Sequence, residues 1–177
     1  MKEVHWGMES VMSDFFAKLS SYNIFNYLLP GIVFAILAGD IIHYPVLQKD
    51  IVTGAFFYYF LGLVVSRFGS LIIEPLLKRL RFVRFADYKE FVAASQKDAK
   101  LDVLSEVNNT YRTLAALISL LLLLKLFMKL EERFPRFSEW NWTALSVALL
   151  AMFLFSYRKQ TSYISRRIAA NIDLSQR

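Results

Sequence analysis

Cysteine is absent from the chain, which excludes disulfides and thiolate metal sites and removes any redox clue to compartment. Histidine is nearly absent: His5 and His43 are too far apart in sequence, and in expected location, to form a metal pair. Glycine and proline are scarce, 6 and 4 in 177 residues. No phosphate-cradling glycine loop, HExxH or GxSxG motif occurs. Nothing among these residues argues for an enzyme, and no cofactor, metal or catalytic residue is expected. Charge is also low, at 20%, where a soluble domain carries about a quarter.

What is present is apolar: 56% of the chain is hydrophobic and 16% aromatic. These residues are not dispersed with helix or strand periodicity. They gather in blocks of roughly 17–23 residues, the length that crosses a hydrocarbon layer of about 30 Å. The sequence therefore predicts an all-α integral membrane protein with four transmembrane helices and a cytoplasmic helical hairpin or extension between spans two and three. The net charge of +6 fits Lys- and Arg-rich cytoplasmic loops better than a nucleic-acid surface.

Five segments make up the chain. Residues 1–23 predict an N-terminal interfacial helix, with Trp6, Met8, Val11, Met12, Phe15, Phe16 and Leu19 at three- and four-residue spacings. Acidic residues before the first apolar block, and the lack of a small-residue cleavage pattern, argue against a signal peptide. Residues 24–75 hold spans one and two. Pro30-Gly31 predicts a kink or break near the start of span one, Pro45 ends that span, and Glu74-Pro75 closes span two. Residues 76–112 predict a basic cytoplasmic loop and an amphipathic helix. From about Ala86 to Thr110 no glycine or proline intervenes, so this helix is expected to run straight into span three. Residues 113–157 hold spans three and four, the latter opened by Trp140 and Trp142 at headgroup level. Residues 158–177 form a basic tail. The loop between spans two and three carries about eight Lys and Arg and the tail about five, which predicts both termini on the cytoplasmic side.

Four constellations are candidate sites. Gly31, Ala35 and Gly39 on span one, and Gly54, Gly62 and Ser66 on span two, repeat at intervals that let helices approach closely in lipid. They serve packing either within one chain or between chains of a homo-oligomer. Arg67 and Glu74, about two turns apart on one helical face, are polar residues in or beside a span. They read either as an intramembrane pair or, for Arg67, as a side chain that snorkels to the boundary. Asp40 with His43, and Lys125, fit solvated span ends. Lys78, Arg79, Arg81 and Arg84 form a juxtamembrane cluster suited to anionic lipid; with Phe82 and Phe85 between them they also suit nucleic acid, which nothing else indicates directly. Phe91, Lys97, Lys100, Leu101 and Leu104 give the cytoplasmic helix a partner-docking face.

At Ser21-Tyr22-Asn23-Ile24-Phe25-Asn26-Tyr27-Leu28-Leu29-Pro30-Gly31, followed by the four-span pattern, the chain resembles small multi-span membrane proteins of bacterial antiphage defence operons, the membrane subunit of the Kiwa system among them. The resemblance covers length, span count and the FNYLLPG start of span one. It implies an oligomer in the bacterial inner membrane that senses infection at the envelope and works with a cytoplasmic, DNA-engaging effector. It carries no functional residue onto this sequence. The expected role is a membrane scaffold or sensor that recruits a soluble partner. The alternative is an oligomeric pore lined by Ser66, Arg67 and Ser70.

Overall fold

The computed structural model describes residues 23–43, 46–134 and 141–175, and all regular structure among them is helical. The predicted interfacial helix at the N-terminus, Pro45 and Trp140 lie outside the described residues. The helices are α1 (Ile24–Ile42), α2 (Ile51–Arg79), α3 (Tyr88–Ser95), α4 (Lys100–Arg133) and α5 (Asn141–Ser175). Three of them, α1, α2 and α4, are long and apolar enough to cross a membrane. The apolar part of α5, Ala144 to Phe155, is interrupted by Ser146, and its flanks carry Asn141, Thr143 and Ser156.

Each apolar helix with an internal proline solves the same problem in the same way. Proline lacks an N–H and its ring collides with the carbonyl four residues earlier. In α1 a π-turn spans Ile24–Leu28, just ahead of Leu29-Pro30. In α2 a π-turn spans Gly69–Ile73, just ahead of Glu74-Pro75. Widening the turn moves the offending carbonyl aside and spares the helix a break. So α1 begins on a π-turn where a kink or break is expected, and α2 continues past Glu74-Pro75 to Arg79.

At the far end of the molecule, α1 stops at His43, whose φ of 52° is left-handed. Asp50 then opens α2, its carboxylate accepting from the Thr53 N–H at 2.7 Å. That bond holds the carboxyl below its ordinary pKa of 3.8. The Tyr58 hydroxyl accepts from the Gln48 N–H at 2.8 Å and ties the connecting loop down.

The core lies where α1, α2 and α4 meet, around Ala38, Val65, Ala116, Leu117 and Leu121. The α1–α2 contact is backbone on backbone. A Cβ on Gly31 would overlap the Tyr58 carbonyl, and one on Gly62 would overlap the Tyr27 carbonyl. At Gly69 a Cβ would come within 3.0 Å of Ala116, so the π-turn itself seats α4.

Two expectations about the hydrophilic half need correction. The helix expected to run unbroken from Ala86 into the third apolar block is two helices. It breaks between Ser95 and Lys100, where the Asp98 carboxylate accepts from the Lys100 N–H at 2.9 Å. This local side-chain bond competes with helix and needs no glycine or proline. The basic tail, in turn, is no separate segment: α5 runs on through it as one helix of 35 residues. α3 packs between α4 and this extension of α5. Val92 and Ala170 are buried at the α3–α5 contact, Tyr88 and Tyr163 lie ring to ring at 6.0 Å, and the Arg166 guanidinium covers both rings.

Candidate functional site

The only acidic side chain within α2 sits just after its π-turn. An α-helix places residues seven apart on nearly one face, which would align Arg67 with Glu74. The π-turn between them adds about one residue to the turn and rotates the remainder of the helix by roughly 100°. Glu74 is thereby swung toward α4 and α5, while Arg67 faces α1 and donates to the Tyr27 hydroxyl at 3.1 Å. The two residues are not brought together.

Glu74 is 6% exposed and binds three cations. Lys78 Nζ lies 2.9 Å from one carboxylate oxygen, and Arg112 Nη1 of α4 lies 2.8 Å from the other. Lys159 Nζ of α5 is 3.5 Å away, and it also donates to the Ser70 carbonyl at 2.7 Å and the Ser70 hydroxyl at 2.8 Å. Lys78 further lies 4.0 Å above the Phe85 ring. A single carboxylate thus fastens α2, α4 and α5 at one point. Such a buried group is tolerable only because its charge is paired and hydrogen-bonded. One negative charge against three positive leaves the junction cationic, and its outward part continues into Arg79, Arg81 and Arg84, all exposed.

Two further polar side chains are buried, one on α4 and one on α1. Thr113 of α4, fully buried, donates to the Asn109 carbonyl at 2.9 Å and approaches the Ser66 hydroxyl at 3.4 Å. Asn26 of the first π-turn is 1% exposed, and neither of its amide atoms has a hydrogen-bond partner. It lines a cavity of about 320 Å³ with Phe25 and with Val103, Glu106, Val107, Thr110 and Tyr111 of α4.

The remaining candidate residues separate by face. Gly31, Ala35, Gly54 and Ser66 are buried within the chain and Gly62 is packed against Tyr27, while Gly39 is half-buried. Their spacing is used here between α1, α2 and α4 of one molecule. Ser66 and Ser70 are both buried and engaged with Thr113 and Lys159. Asp40, His43 and Lys125 are exposed. Phe91 and Leu101 are half-buried, on α3 and α4 respectively, whereas Lys97, Lys100 and Leu104 are exposed around the break between those helices. Among the described residues no group of three or more His, Asp or Glu is placed to hold a metal ion.

Tyr27, Arg112 and Lys159 had no signal of their own in the sequence. Arg112 and Lys159 each stand at the edge of an apolar block, as Glu74 does. That shared position, with one acid among the bases, is the clue available before the fold is known. No protein-family model, curated protein or solved structure matches the chain.

Proposed function

We propose that the chain is a homo-oligomeric scaffold or sensor of the bacterial inner membrane, with four spans and both termini in the cytoplasm, which recruits a soluble protein partner. The observation that carries this reading is the helical platform outside the apolar blocks. α3, the start of α4 and the end of α5 pack on one another, and Glu74 ties α2, α4 and α5 together at their base. A partner seated on such a platform is mechanically coupled to the spans.

Support for the fourth span comes from neighbours. Phe153 lies 6.2 Å from Phe60, well inside α2, and Lys159 reaches Ser70 and Glu74. The apolar part of α5 therefore runs beside α2 and in the same direction. Support for lipid anchoring comes from Phe82, 78% exposed, and Phe85, 54% exposed, set among Arg79, Arg81 and Arg84. Aromatic rings and guanidinium groups together suit an anionic headgroup layer. A place in antiphage defence rests on the resemblance at Ser21–Gly31.

The partner would dock around the α3–α4 break, on Phe91, Lys97, Lys100, Leu101 and Leu104. Co-purification from the native host with Lys97→Glu, Lys100→Glu and Leu104→Asp combined tests this. Loss of a partner that the unaltered protein retains supports the assignment; unchanged recovery removes it. The pore reading has less behind it, because Ser66 and Ser70 are occupied by contacts within one chain.

A further inference from the structure

Two exposed apolar stripes run along the molecule and continue past the apolar blocks. On α4 the stripe is Val103, Val107 and Tyr111, then Leu114, Ile118 and Leu122, with exposures from 39% to 69%. On α5 it is Leu150, Leu154 and Tyr157, then Ile164 and Ile168, with exposures from 53% to 75%. Lipid covers the membrane portions. Val103, Val107, Ile164 and Ile168 lie beyond them and would face water in a single chain.

We infer that these two faces are the two halves of one interface between copies: the Val103–Tyr111 face of α4 receives the Ile164–Ile168 face of a second copy's α5. The inference rests on the oligomeric membrane scaffold proposed above and specifies how its copies join.

The two faces stand at the same height. Arg112 and Lys159 hold the same carboxylate, so they mark one level. Val107 precedes Arg112, and Ile164 follows Lys159, by the same number of residues; Val103 and Ile168 match likewise. At 1.5 Å per residue the pairs stand about 8 Å and about 14 Å beyond that level. The Gln96–Asn171 hydrogen bond of 3.3 Å independently sets the C-terminal end of α3, just ahead of α4, beside this part of α5. A membrane holds all copies upright at one depth, so matching heights in one chain are matching heights between chains.

Their charges are complementary. Asp102 and Glu106 flank the α4 stripe, and Arg158 and Arg167 flank the α5 stripe. α4 runs toward the apolar block and α5 away from it, so the two helices meet antiparallel. Their shapes agree as well. Val103, Val107 and Tyr111 form one wall of the cavity whose other wall is Phe25 and Asn26, a groove into which an isoleucine side chain projects. Because the two faces differ, the contact is head-to-tail and repeats from copy to copy, closing into a ring when the rotation between copies completes a circle.

The absence of cysteine makes the test direct. Full-length Val103→Cys and Ile168→Cys chains, carrying different tags, are expressed separately and together and oxidised in native membranes. The disulfide is expected only between the two different chains, and a chain bearing both cysteines should give a ladder that closes at the ring size. Glu106→Arg should cut the yield about tenfold, and Arg167→Glu on the other chain should restore it. Either single variant linking to itself as well as the mixture does would overturn the head-to-tail contact. Amine-reactive cross-linking of the unaltered protein separates the two levels. Oligomers without the Val103–Ile168 bond refute this interface and leave the scaffold standing, whereas a monomer refutes both.

Discussion

Glu74 joins three helices through one buried carboxylate. Its three cations come from three helices, and removing the carboxylate leaves them facing one another with no counter-charge. Stripping one partner from a buried ion pair costs about 3–5 kcal/mol. Lys78 is 43% exposed and recovers some hydration, so the lower end of that range applies. Glu74→Gln should therefore lower the melting temperature in detergent by on the order of 10 °C. Adding Lys159→Met should recover part of the loss, because it removes a cation that has lost its anion. If the double variant melts below the single one, Lys159 is held by Ser70 rather than by Glu74. Asp50 offers a second handle. Its carboxyl is held below 3.8 by the Thr53 N–H, so the bond stabilises the native state at pH values above 3.8. That stabilisation disappears as pH falls through the depressed native value. Asp50→Ala should thus melt earlier than the unaltered protein at neutral pH, with the gap closing in acid.

At the scale of the helix, two prolines explain two π-turns, and the π-turns explain the site. Without the extra residue in Gly69–Ile73, Glu74 would share a face with Arg67, as its spacing in the sequence implies. With it, Glu74 meets Arg112 and Lys159. Removing Leu71 together with Pro75→Ala should return α2 to a regular helix and rotate Glu74 away from α4 and α5. The shortened protein is expected to lose about as much stability as Glu74→Gln does. More tellingly, Glu74→Gln added to it should cost little further, since residues acting through one interaction are not additive. A full additional loss would show that the π-turn does not aim Glu74. The break at Asp98 has the opposite character: it sits in water, and a single Asx-type hydrogen bond is enough to end one helix and begin the next.

For the whole molecule, the apolar blocks made the helical class legible in the sequence, and of the four spans expected from them three are helices of membrane length and composition. The junction was not legible. Glu74, Arg112 and Lys159 belong to different helices, and no spacing rule reaches across connections that long. The extension of α5 was hidden for another reason: Arg158, Lys159, Arg166 and Arg167 read as a basic tail until Tyr163 and Ala170 are seen packed on α3. The proposed sidedness rests on the same charges. The basic ends of α2, α4 and α5 converge with eight and five Lys and Arg in the flanking segments, by about the count the positive-inside rule uses. Single cysteines placed in the otherwise cysteine-free chain read this out in intact cells. At Lys49, between α1 and α2, a membrane-impermeant thiol reagent should label fully. At Lys97 and Ser165 it should label only after the membrane is permeabilised. Labelling at Ser165 but not at Lys97 in intact cells would mean that α5 does not cross. The α3–α5 contact could then not form within one membrane-inserted chain, because Tyr88 and Tyr163 would lie on opposite sides of the bilayer.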